Sequence, residues 1–377
     1  APRIDYDIDD DGLIEIEDLQ DLNEIRNNVT EVNDSGEADV ITSLELLGGT
    51  LYDSQDGCPN TGCKGYELIS DLNFDTSLNQ QFDASDMYWN EGKGWQSIGN
   101  FQTKFKAEFH GNGYTIHNLN INRPQEQFQG LFAYAEMAQL HDFSLTGHIT
   151  AGADSGAVLG YAWETEIYKL FIEVNVEGMD SEPGCTQDCE PDRLGGVVGS
   201  ANYSLFHQLV LKAQVSGHDY LGGLTGMVQN SEFNEITIQA TLNGNNYLGG
   251  LTGDSDNSEI NSVVSVTQIY GHSAIGGLVG NSTLSTIQDI LLSGTVTPGL
   301  GITRYARGGS LTGSVNDSDV SNVISLVRLP ADPEERHFIG ALIGSANDSQ
   351  ISNTYWASDL TLRERMYSRA TTVGISQ

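Results

Sequence analysis

The sequence predicts an all-β fold, a parallel β-helix (β-solenoid) with a short N-terminal α-helical cap. Three observations predict it. A glycine motif recurs as GAVLG from Gly156, GGVVG from Gly195, GGLTG from Gly222 and Gly249, GGLVG from Gly276, GSLTG from Gly309 and GALIG from Gly340, and successive starts from Gly195 to Gly276 lie 27 residues apart. A second marker keeps the same phase: Ala138, Thr165, Ser204, Ser231, Ser258, Ser285, Ser318 and Ser349. Within each repeat the apolar residues alternate with period two and are often β-branched, a strand signature rather than a helical one.

Taking the second marker as position zero, position two is always apolar: Leu140, Ile167, Phe206, Phe233, Ile260, Ile287, Val320, Ile351. Position five is apolar from Phe143 to Val323, with Thr354 the exception, and position eleven runs from Ile149 to Leu329. A unit of this length with equivalent apolar positions is one coil of a solenoid, in which backbone hydrogen bonds run between coils and no coil is stable alone. Glycines are expected at corners, where the chain needs positive φ or close backbone approach.

Composition narrows the function. The chain has 377 residues, 17 Lys and Arg against 52 Asp and Glu, and a net charge of −35. That balance argues against nucleic acid and anionic membrane surfaces, which are bound through Lys and Arg. No apolar run is long enough to span a membrane. The opening APRIDYD fits a mature secreted protein whose leader has been removed, or a trimmed piece.

Reading from the N-terminus, Asp7 to Asp18 (DIDDDGLIEIED) fits a twelve-residue calcium loop. Asp7, Asp9 and Asp11 stand at positions one, three and five, Gly12 at the turn, the Leu13 carbonyl at position seven and Asp18 at the closing position, where Glu is usual. A solvated acidic turn is the alternative. From Glu17 to Asn28, Leu19, Leu22 and Ile25 recur at helical spacing, and this amphipathic helix is expected to cover the open first coil.

Four cysteines form two local pairs, Cys58 with Cys63 and Cys185 with Cys189. Two small disulfides would place the protein in an oxidising compartment, extracellular or at the cell surface. The rival is a single four-thiolate zinc site, which the gaps fit poorly. The predicted divisions are residues 1–40 as calcium loop and cap, 41–125 as entry coils, 126–356 as the repeat solenoid, and 357–377 as a tail or docking segment that departs from the repeat.

The glycine motif and strand pattern resemble the GLUG repeats of large bacterial surface and secreted proteins. The resemblance extends upstream through Tyr66-Glu67-Leu68, Asp71 to Phe74, Trp95 to Gly99 and Phe109 to Ile116, and covers roughly residues 64–356. It implies secretion and modular architecture, with right-handed coiling as the usual hand, and no particular reaction.

Enzyme constellations are absent from the motifs: no G-x-S-x-G, no H-E-x-x-H, no phosphate loop. His110 reads as structural, and His218 and His272 as exposed loop residues. Position six is outward by strand alternation yet mostly apolar (Phe171, Val210, Val264, Leu291, Ile324 and Tyr355, with Thr237 between), so an interface or a covering segment is expected there. Tyr220 and Tyr247 stand at equivalent positions and should stack as a candidate sugar-binding face. The chain is therefore expected to be a non-enzymatic structural or adhesive solenoid stabilised by calcium. It would self-associate or bind other surface proteins, as a subunit of an extracellular assembly or filament. The alternative is a polysaccharide-binding or polysaccharide-degrading β-helix.

Overall fold

Strands dominate the architecture because every coil repeats the same alternation. The computed structural model of the chain describes residues 5–27, 57–59, 63–178, 192–299, 306–329, 338–357, 367–371 and 374–376. All-parallel ladders join equivalent strands of successive coils into sheets of 14, nine and six strands. The register follows the repeat: Phe206 faces Phe233, Phe233 faces Ile260, and Ile260 faces Ile287. The chain is thus a β-solenoid, and the core is one continuous column down its axis.

The inward positions are those expected from the sequence. Position two is buried from Leu140 to Ile351, position eleven from Ile149 to Leu329, and the third motif residue from Val158 to Leu342. Stacking identical residue types lets side chains of one coil pack against their counterparts on the next, and Phe206 and Phe233 stack with ring centroids 4.9 Å apart.

Position zero is polar for a separate reason. The hydroxyl of Ser231 accepts the backbone N–H of Ser204 at 3.0 Å, that of Ser258 accepts from Ser231 at 3.1 Å, and that of Ser285 accepts from Ser258 at 3.1 Å. Each also donates to the carbonyl two residues before it, as Ser258 does to Asp256 at 2.8 Å. The column continues through Ser318 and Ser349. A small hydroxyl fits here because it satisfies a buried N–H where the strands break at a corner.

The corners themselves are not glycine. Position four of successive coils (Asp142, Lys169, Gln208, Glu235, Ser262, Asp289, Asn322, Asn353) has φ between +46° and +59°. Left-handed backbone at a non-glycine residue is held by the ladders on both sides. The motif glycines instead permit close approach. A Cβ on Gly250 would lie 2.3 Å from the carbonyl oxygen of Gly277 in the next coil.

At the N-terminal end, β1 (Leu13–Ile16) is the outermost strand of the largest sheet. It leads into α1 (Leu19–Glu24) and a 3-10 turn (Ile25–Asn27), shorter than the helix expected from the sequence. Leu19, Leu22 and Ile25 are buried in the common core. Arg26 lies over the Trp95 ring and donates to the Gln96 carbonyl at 2.7 Å, fixing this cap to the entry coils. β1 pairs with β2 (Gly65–Leu68) through four residues.

In the C-terminal segment, Tyr367–Thr371 pairs with Ile343–Asn347, and Gly374–Ser376 pairs with Gln350–Trp356, all parallel. Backbone pairing continues the stack although the glycine motif has ended, because the ladder needs only N–H and C=O groups in register.

Candidate metal centre and outer faces

One outward column begins at the cap. Glu15 of β1 faces Glu67 of β2, Glu67 faces His110, and His110 faces His141. The column continues through Tyr168 and His207, whose rings stack on their neighbours 4.5 to 4.8 Å apart. His141 bonds Glu108 at 3.1 Å, and His110 meets Asp142 at 3.4 Å. Glu108, His110 and His141 place three donor atoms within 4.8 Å of one another, each already with a protein partner. The structural reading of His110 is consistent with this stack.

The acidic loop folds over the outside of β1 and β2. Gly12, at φ +90°, allows the reversal, and its N–H donates to Asp7 Oδ2 at 2.9 Å. Asp11 accepts from the Leu13 N–H at 2.8 Å, Asp9 from the Asp11 N–H at 3.2 Å, and Glu15 Oε1 from the Ile8 N–H at 2.6 Å. The loop carboxylates therefore converge on those of the column. Asp7, Asp9 and Glu15 form one group with donor atoms within 4.8 Å, and Asp9, Asp11 and Glu67 form a second.

Burial is severe for acids. Asp7 is fully buried, Glu15 is 2 % exposed and Glu67 is 5 % exposed. Burial lifts the carboxyl pKa of all three above the ordinary range, with neighbouring acids adding to it. The Oδ1 of Asp7 has no hydrogen-bond partner among the described residues. The Asn112 side-chain amide donates to Glu67 Oε2 and holds it in place.

Of the five residues expected at the metal, Asp7, Asp9 and Asp11 come together. Leu13 opens β1 with its side chain buried. Asp18 is placed elsewhere: its carboxylate caps α1, accepting the N–H groups of Gln20 and Asp21 at 2.7 and 3.0 Å. It belongs to neither carboxylate group. Glu15 and Glu67 were not among the expected ligands. Glu15 lies inside the loop pattern, at a position read there as part of the spacing. Glu67 is brought in only by strand pairing, which no local motif records.

Cys58 and Cys63 are disulfide-bonded and buried beside this loop. Cys185 and Cys189 lie outside the described residues. Along the solenoid wall, Phe171, Val210, Thr237, Val264, Leu291, Ile324 and Tyr355 stand in register one above another. The six apolar members are 40 to 61 % exposed. Val266 and Leu326, also exposed, widen the apolar face. An open groove beside the column includes Lys169, Phe171, Val210 and Thr237. Tyr220 and Tyr247 stack in near-parallel planes with centroids 4.5 Å apart. Burial and the neighbouring Tyr247 push the Tyr220 hydroxyl up to about 12.

Within the described residues no helix is long and apolar enough to cross a membrane. No protein-family model and no curated protein matches the chain, so the likeness to GLUG repeats rests on the motifs themselves.

Proposed function

We propose that the chain is a secreted or cell-surface structural and adhesive module without catalytic activity, stabilised by calcium, that works as a subunit of an extracellular assembly or filament. The observation that carries this reading is the exposed apolar column from Phe171 to Tyr355. Apolar side chains in six of these seven coils, with Thr237 between, form a stripe of the kind that marks interfaces. The ladders hold the stripe in register from coil to coil, so weak contacts at successive coils add up on one partner surface. The net charge of −35 limits unspecific collapse. The Cys58–Cys63 disulfide supports an oxidising setting.

Sedimentation velocity with electron microscopy tests the reading. The wild-type protein should associate with concentration, while Val264→Lys, Leu291→Lys and Ile324→Lys combined should remain monomeric with an unchanged circular dichroism spectrum. A wild type that stays single at all concentrations and degrades a glycan contradicts the proposal. The Tyr220–Tyr247 pair favours one second reading, polysaccharide binding, because stacked aromatic faces receive sugar rings. Retention on a glycan that is lost in Tyr247→Ala would support it.

A further inference from the structure

We infer that the calcium is held by a split site, with Asp7, Asp9 and Asp11 from the N-terminal loop and Glu15 and Glu67 from the outer face of β1 and β2, so that the cation fastens the cap to the next coil. This rests on the calcium part of the proposed function and replaces the ligand set that a local loop would supply.

The register makes the first half of the argument. Glu15 and Glu67 are direct neighbours in a parallel ladder, about 4.8 Å apart along the hydrogen-bonding direction. Like charges so placed destabilise the pairing of two strands. The loop then brings Asp7, Asp9 and Asp11 onto the same face. Among the described residues no Lys or Arg forms an ion pair with Asp7, Asp9, Asp11 or Glu67.

Asp7 supplies the second, independent half. Its side chain is fully buried, one oxygen is bound by the Gly12 N–H, and the other has no hydrogen-bond partner among the described residues. A buried carboxylate oxygen without a donor is costly and is normally satisfied by protein, water or cation. Asp7 belongs to a group with Asp9 and Glu15, each offering a carboxylate oxygen within 4.8 Å of the others, and Asp9 also belongs to the group with Asp11 and Glu67. An all-oxygen, multiply charged set of this kind selects a hard divalent cation. The irregular arrangement, drawn from a loop and two strands, suits calcium better than magnesium, which demands a near-octahedral shell and keeps its waters.

Asp18 is excluded by the local fold. A helix directly after the loop would carry position twelve back to the metal. Leu13–Ile16 instead extend as a strand, and Asp18 is spent on the helix N-cap. Glu67 takes over the closing role from across the ladder, oriented by Asn112. The cation thereby bridges two coils rather than a single loop, and holds a strand that, among the described residues, has one neighbour in the sheet.

Calcium titration of the full chain after EDTA treatment, followed by calorimetry and thermal melting, tests this. The wild type should bind calcium and melt higher with it. Glu67→Gln should bind about tenfold more weakly or worse, since even outer partners of a metal ligand carry that much. In EDTA the same variant should melt no lower than wild type, because it removes a like-charge neighbour, which separates ligand loss from misfolding. Asp18→Asn should keep wild-type affinity. Wild-type affinity in Glu67→Gln together with loss in Asp18→Asn would overturn the split site while leaving calcium binding intact. No calcium binding by the wild type would overturn both.

Discussion

Replacing Ser258 by Ala isolates what the serine column contributes. The Ser258 hydroxyl accepts the buried N–H of Ser231 at 3.1 Å and donates to the Asp256 carbonyl at 2.8 Å. That carbonyl keeps a second partner, the Asn230 N–H at 3.0 Å. The substitution therefore orphans one buried donor and leaves the acceptor served. An unsatisfied buried donor costs about 1–3 kcal/mol, and no compensating burial is available because Ser and Ala differ by one atom at a site already filled. Ser282 provides the control. Its hydroxyl is buried with no hydrogen-bond partner among the described residues, so Ser282→Ala should be neutral or stabilising. Ser258→Thr keeps a hydroxyl that can accept the same N–H, and Thr165, buried at the equivalent position, shows that threonine fits there, so this variant should recover most of the loss. Urea unfolding gives the stabilities, and hydrogen exchange at the Ser231 amide shows whether the loss is local. A cost below ~0.5 kcal/mol for Ser258→Ala, or an equal cost for Ser282→Ala, would refute the role assigned to the column.

Two other perturbations test neighbouring parts of the account. Gly250→Ala should lower stability by about 1–3 kcal/mol or more, read by thermal melting, because its Cβ would meet the Gly277 carbonyl oxygen at 2.3 Å and Thr267 Cγ2 at 2.6 Å, and the coil spacing would have to open. For His141, burial lowers the imidazole pKa below its ordinary 6.5, against the pull of Glu108. The folded state then binds fewer protons than the unfolded state just below pH 6.5, so the stability linked to this group is complete above that value and is lost as pH falls through the lowered folded pKa. His141→Asn should flatten that part of the pH–stability curve measured by urea unfolding, and an unchanged slope would contradict it.

Most of the fold was legible because each coil restates the same residues. Phe233, Ile260 and Ile287 announce the interior by recurrence alone, and the outward line through Val264 and Leu291 follows from strand alternation. The corners were not legible. Gln208, Glu235 and Ser262 share a left-handed backbone but no residue type, since the flanking ladders rather than a local propensity impose it. The candidate metal centre was half legible. Asp7, Asp9, Asp11 and Gly12 form a local pattern, whereas Glu67 depends on strand register, a long-range property. Asp18 stands at the spacing of a loop ligand and is also a good helix N-cap, and its carboxylate is found at the cap. The C-terminal strands carry no motif of their own, because pairing survives the loss of the glycine motif.

The central claim is that equivalent residues of successive coils are vertical neighbours. Paired cysteines on the outer face test it most directly. Thr237 and Val264 are in register on adjacent strands, whereas Leu291 lies one coil further. Adjacent parallel strands are about 4.8 Å apart, within reach of a disulfide, and twice that distance is not. Under mild oxidation of dilute protein, Thr237→Cys with Val264→Cys should cross-link within one chain, and Thr237→Cys with Leu291→Cys should not. Efficient cross-linking of the second pair but not the first would contradict the stacked arrangement.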